Sequence, residues 1–246
     1  KAMGAGTAAL AMPALASRSQ RKSKRPNVVL CMSDDQGWAD TGYQGHPILK
    51  TPALDGMAAD GIQFDRWYAA APVCSPTRGS CITGRHPYRY GVFSANVGHM
   101  PREEATLAEA LKMRGYTTGF FGKWHLGTLT KMVKDSNRGG PGGVEHYSPP
   151  CNHGFDRCFA TEAKVPTTDP MVVPEGWRNR TPGSEFGTYY WNERGKRVTE
   201  NLEGDDSRVI MDRAIPFIER AAERDRPFLA VIWFHTPHKP VRAAEK

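Results

Sequence analysis

Phe228-Leu229-Ala230-Val231-Ile232-Trp233-Phe234 is an unbroken apolar run, followed at once by His235-Thr236-Pro237-His238-Lys239-Pro240. A run this short, rich in β-branched and aromatic residues, reads as a strand buried on both faces, and strands of that kind belong to parallel sheets. Working outward, residues 27–33 (NVVLCMS) have the same character between Pro26 and Asp34-Asp35, residues 116–121 form another strand candidate, and residues 62–69 a fourth. Helix signals fall between them. Thr51 and Pro52 open a helix that Gly61 ends; residues 75–83 form another, stopped by Gly84. Thr106-Leu107-Ala108-Glu109 is a capping box that starts a helix running to Arg114 and capped by Gly115. Residues 206–224 are amphipathic, with a kink expected at Pro216. Strands alternating with helices predict an α/β fold, a mostly parallel central sheet flanked by helices. Residues 127–205, rich in Gly, Pro, Asn and aromatics, predict long insertions with little regular structure.

The chain has 246 residues, 39% of them hydrophobic and 24% charged, which is ordinary globular composition. That excludes a disordered chain, a coiled coil and a collagen-like repeat, and no run is long enough for a membrane span. The net charge is +7, and six cations with no acid lie in residues 1–25; setting those aside leaves +1 for residues 26–246. The basic character therefore belongs to the N-terminal segment and argues against a nucleic-acid partner. Residues 1–16 are a mild Ala/Gly-rich apolar run ending Ala14-Leu15-Ala16, which predicts part of an export signal peptide with its cleavage site. Its low hydrophobicity leans toward a bacterial twin-arginine route to the periplasm or outside the cell. Residues 17–25 read as a basic linker.

Polar clusters follow three of the strands, and in open parallel sheets ligands bind beyond the carboxyl ends of the strands. Asp34-Asp35 places two carboxylates there; a hard divalent cation would hold them together, while a solvated Asp-Asp turn is the bland alternative. Cys74-Ser75-Pro76-Thr77-Arg78 puts Cys74 at a helix N-terminus, where the dipole favours an anion, with Arg78 one turn on. A nucleophilic cysteine and a buried structural one both fit. Lys123-Trp124-His125 lies within GKWHLG; in extended chain Lys123 and His125 would face one side, against a surface lysine and a core histidine. His235 and His238 suggest a metal or anion site, or only a turn.

Taken together these residues resemble the formylglycine-dependent (type I, arylsulfatase-like) sulfatases of the alkaline phosphatase-like superfamily. Cys74 to Arg78 matches C-x-P-x-R at every fixed position. The DDQG at 34–37, GKWHLG at 122–127, GFD at 154–156 and PHxP at 237–240 follow the family's usual order. The resemblance runs from about Pro26 to Pro240 and implies hydrolysis of sulfate esters, on a sulfated small molecule or glycan. It implies that Cys74 is oxidised to Cα-formylglycine by a formylglycine-generating or other sulfatase-maturing enzyme. A serine would be left holding a stable sulfate ester, whereas a geminal diol keeps a second hydroxyl whose deprotonation expels sulfate. Asp34, Asp35 and the modified Cys74 would bind Ca2+, or Mg2+. Arg78 would anchor residue 74, Lys123 would contact nucleophile and sulfate, and His125 would take the elimination proton. His238 would bind sulfate or protonate the leaving alcohol; His235 has no firm counterpart and reads as a packing residue.

Family members are considerably longer. Their second pair of metal ligands and a further sulfate-binding lysine lie after a later strand. Residues 26–246 are therefore expected to be the N-terminal portion of a catalytic domain, with a half-built metal site and no activity alone. Hydrolysis of phosphoesters or phosphonates on the same scaffold is one alternative; a binding remnant with unmodified Cys74 is another. Of the remaining cysteines, Cys31 is expected buried in its strand and Cys81 packed. Export would permit a Cys151–Cys158 disulfide, though spacing alone does not set its geometry. Trp177, Tyr189, Tyr190 and Trp191 are read as loop anchors, with stacking on sugar rings as the other option.

Overall fold

A computed structural model describes residues 25–243. The residues read as a signal peptide and, apart from Arg25, those read as a linker lie outside the described residues. Five strands form one sheet: β1 (Val28–Met32), β2 (Thr117–Lys123), β3 (Arg157–Thr161), β4 (Trp191–Asn192) and β5 (Phe228–Trp233), in the order β1-β5-β2-β3-β4. All neighbouring pairs are parallel except β3 with β4. Four α-helices accompany it: α1 (Pro52–Asp60), α2 (Cys74–Thr83), α3 (Leu107–Lys112) and α4 (Asp206–Glu223). The mostly parallel α/β sheet expected from the apolar runs is what forms.

Alternation along the strands divides the core into two layers. Phe120, Leu229, Val231 and Trp233 face one side, with Ile82 of α2 and Ala108 of α3. Phe121, Phe228, Ala230 and Ile232 face the other and meet Val209, Ile210, Ala214 and Phe217 of α4. Phe120 stands edge-on to both Trp124 and Trp233, at 5.1 Å between ring centroids, an arrangement worth about 0.5–1.5 kcal/mol beyond the buried area. The Trp124 indole N–H donates to the Ser148 carbonyl at 2.6 Å, so its polar atom is satisfied in the core. The Thr106–Glu109 capping box closes both ways, as read from sequence. Pro216 lies inside α4, which continues through it.

Three expectations are corrected. Residues 62–69 form no strand; they run as exposed bends and loop, with no sheet neighbour to take their backbone groups. Cys31 is exposed rather than buried. It lies on β1 with Val29, on the sheet face that α4 covers over β2 and β5, and β1 is the outermost strand. Residues 127–205 hold more order than composition suggested, since β3, β4 and short 3-10 turns lie there. Cys151 and Cys158, for which export would only permit a bridge, are free thiols, with Cys158 buried. Trp177 is half-buried and Tyr189, Tyr190 and Trp191 are buried, in keeping with anchoring; Tyr190 stacks on Phe159 at 4.0 Å between centroids.

Candidate active site

Strand register sets the site. Met32 of β1 and Gly122 of β2 both pair with Trp233 of β5, so three strands end at one level. Beyond them the exits stay joined: the Phe234 N–H donates to the Met32 carbonyl at 2.9 Å, and the Asp34 N–H to the Thr236 carbonyl at 3.1 Å. Gly122 has φ +109, and a Cβ there would lie 1.9 Å from the Trp233 carbonyl oxygen. Only glycine lets β2 approach β5 this closely immediately before Lys123. Gly127, at the far end of GKWHLG, has φ +139 and no room beside Ser148 and the His146 carbonyl.

Asp34 is the hub. Its Oδ1 accepts from Arg78 Nη2 at 3.0 Å and its Oδ2 from Lys123 Nζ at 2.5 Å, all three side chains being buried. Burial pushes the Asp34 carboxyl up, but Arg78 and Lys123 outweigh it and hold it well below the usual carboxylate range. Lys123 is pulled down by burial and then by Arg78, against the opposing pull of Asp34 and of Cys74. Arg78 also donates Nη1 to the Lys123 carbonyl at 2.8 Å and lies over the Trp233 ring. Two cations and one carboxylate in a buried cluster leave a positive excess suited to an anionic ester.

Cys74 is the first residue of α2, half-buried, and lies near enough to Lys123 to influence it. The Pro76 carbonyl in that first turn accepts from the Tyr90 hydroxyl at 2.5 Å, pinning the helix start. His125 is buried, but at φ +56 it breaks the extended alternation expected after Lys123. Its Nε2 bonds Asn96 Oδ1 at 2.8 Å, and Asn96 Oδ1 also accepts from Asn137 Nδ2 at 2.9 Å. That oxygen has no proton to give, so His125 Nε2 is the donor and Nδ1 carries the lone pair; Nδ1 has no partner. Burial, then Lys123 and Arg78, keep the ring neutral well below its ordinary pKa. His238 stands at the rim, with Nε2 3.3 Å from Asp35 Oδ2 and Nδ1 donating to the Lys239 carbonyl; burial and Lys123 lower its pKa.

The site residues read from sequence thus gather at the carboxyl ends of β1, β2 and β5. His235 turns away: it is fully buried, bonded to Asp206 at 2.7 Å and Thr161 at 2.9 Å, and ties β5 to α4 and β3. Asn96 and Lys164 escaped the sequence reading. Asn96 sits in a Ser/Asn/Gly turn with no motif signal, and Lys164 follows β3, the strand read as insertion. Among the described residues no group of three or more His, Cys, Asp or Glu is placed to hold a metal ion. Asp34 and Asp35 have the hard oxygen chemistry for calcium, but both Asp34 oxygens are taken by cations. A calcium shell needs about 6–8 oxygens, so these residues fit only as part of one.

A parallel α/β sheet thus carries an electropositive cluster and a helix-start cysteine at its carboxyl edge, an arrangement suited to anions. The Sulfatase family model matches residues 26–246, and the chain belongs to that family. It is 31% identical over 249 residues to the N-acetylgalactosamine-6-sulfatase of Canis lupus familiaris, covering 89% of this chain and 41% of the relative. Among solved structures, Ps i-CgsB in complex with k-i-k-neocarrahexaose superposes with a TM-score of 0.67 at 27% identity, covering 87% of this chain and 46% of that one. A protein solved with D-glucosamine-2-N,6-O-disulfate, described as its substrate, gives 0.65 at 25% identity, over 88% and 35%. The chain spans less than half the length of these relatives.

Proposed function

We propose that the protein containing this chain hydrolyses sulfate esters on a carbohydrate, with residue 74 as nucleophile. The observation that carries the reading is the placement of Cys74 at the start of α2 beside the buried Asp34–Arg78–Lys123 cluster. Oxidised to Cα-formylglycine by a maturing enzyme and hydrated, residue 74 would supply a geminal diol, one hydroxyl for attack on sulfur and one for release of sulfate. Lys123 and Arg78 hold positive charge where the sulfate oxygens arrive, in a water-poor setting that strengthens them. His125 offers a neutral Nδ1 to take a proton from residue 74. His238, at the rim, lies on the leaving-group side and orients or protonates the departing alcohol. Asp34 and Asp35 would contribute to a Ca2+ or Mg2+ ion, with the rest of its shell drawn from beyond the described residues. Relatives named for sugar sulfates support a carbohydrate substrate, and the Ala-rich N-terminal run supports export. Among the described residues no helix is long and apolar enough to cross a membrane.

The test is the mass of the tryptic peptide spanning residues 67–78 from full-length protein made with its maturing enzyme. Conversion of Cys74 lowers that mass by about 18 Da; a thiol that alkylates quantitatively in protein that still cleaves sulfate esters overturns the nucleophile assignment. Cys74→Ala is expected to abolish arylsulfate turnover. Exhaustive chelation is expected to do the same, and full turnover after it would remove Asp34 and Asp35 as ligands.

A further inference from the structure

Beside the reaction centre lies a cavity of about 170 Å3 whose walls include Asn137, Lys164, Trp177, Arg178 and Arg180, and no acid. Lys164 Nζ lies 5.3 Å and Arg178 Cζ 4.9 Å from the centre of the Trp177 ring, so two cations converge on one indole. Neither makes a salt bridge among the described residues. Arg180 is fixed differently: its guanidinium donates to the Phe186 and Glu185 carbonyls at 2.7 Å, which leaves its charge uncancelled. Burial and Arg178 both lower the Lys164 pKa, while Asp35, Cys74 and Asp34 raise it, so this ammonium lies within the field of the reaction centre. The link is also covalent and polar. Thr161 at the end of β3 is level with Lys123, and Lys164 follows three residues later. Asn137, in the cavity wall, bonds the Asn96 oxygen that orients His125.

Like charges held together without a counter-ion repel, and an incoming anion removes that cost. We propose that this cavity is an anion subsite that takes a second negative group, a carboxylate or a further sulfate, of a multiply charged sulfated glycan, with Lys164 and Arg178 as its ligands. The proposal rests on the sulfate-ester reading for what occupies the neighbouring centre, and it narrows the substrate to polyanionic sugars. A singly sulfated neutral sugar would fill only the reaction centre.

The test is calorimetric binding to the full-length protein carrying Cys74→Ala, which leaves the sugar intact. Three probes are compared: N-acetylgalactosamine 6-sulfate, N-acetylgalactosamine 4,6-disulfate and the chondroitin 6-sulfate disaccharide with its uronate. At least one doubly charged probe is expected to bind about tenfold more tightly than the singly charged one, with a steeper loss of affinity as salt rises. Which probe gains tells carboxylate from sulfate. Lys164→Met with Arg178→Met is expected to erase the advantage, and Lys164→Arg to keep most of it, with melting temperature checking that each variant is folded. Equal affinities for all three probes, an advantage that survives the double substitution, or no binding overturns the subsite. The sulfate-ester reading is judged separately, by the peptide mass and arylsulfate turnover of unsubstituted protein, neither of which involves the cavity.

Discussion

His125 shows how neighbouring side chains would prepare a single residue for the proton transfer proposed for it. Asn96 offers it an oxygen that Asn137 already uses as an acceptor, which fixes the imidazole tautomer with Nδ1 open. Asn96→Ala lets the two tautomers mix, so kcat should fall about tenfold with KM little changed, while Asn96→Asp, which keeps an acceptor, should recover most of it. Steady-state kinetics on an aryl sulfate checks this; unchanged kcat would remove Asn96 as a positioning residue. Asp135 is a second prepared group, in the segment between β2 and β3. Burial, with Glu162 adding to it, pushes its carboxyl up to about 7 against hydrogen bonds from Trp191 and the Tyr189 N–H. The native state then keeps its proton until about pH 7, while the unfolded chain loses it near its ordinary value of about 4. Its contribution to stability is full below about pH 4 and is lost as pH rises through about 7, with a slope of up to about 1.4 kcal/mol per pH unit. Denaturant titrations from pH 4 to 8 should show that slope, and Asp135→Asn should flatten it.

Among the strands, β2 carries the tightest constraint. At Gly122 an added methyl has φ +109 to adopt and the Trp233 carbonyl in its way, so Gly122→Ala should cost about 2–4 kcal/mol. Gly56 of α1 has open space around its Cβ position, and Gly56→Ala should be neutral or slightly stabilising; urea midpoints compare the two, and equal effects would refute the close-approach argument. Elements whose signals are local were legible in the sequence. The apolar runs of β1, β2 and β5, the Thr106 cap and the helix start at Cys74 announce themselves within a few residues. Elements that depend on partners were not. Residues 62–69 have strand-like composition but no neighbour to pair with. β3 is short and set in Gly/Pro-rich surroundings, yet two sheet partners make it a strand. The convergence of Asp34 and Lys123 was foreshadowed by their positions after strands and that of Arg78 by its place one turn into the Cys74 helix, whereas the Asn96 and Lys164 contacts arise from loop paths that no local pattern encodes.

At the scale of the molecule, order and burial are concentrated around β5, and they thin toward β1 and α1. No residue of α1 is buried, and Trp38, Ile48, Ile62, Phe64, Trp67 and Tyr68 are all exposed. Exposed apolar side chains in such number would suit a contact face. Residues 25–243 produced alone should bind a fluorescent apolar dye under native conditions and elute ahead of a monomer; a dye-silent monomer would show that the face closes over itself. The outer rim of β1 has a directional consequence. A polypeptide segment laid along that rim, running the same way as β1, would finish its course alongside Asp34 and Asp35. Whatever side chains it carried past its last rung would be delivered to the two carboxylates from the flank opposite His238, so lengthening the sheet by one member and completing a cation cage there would be the same event.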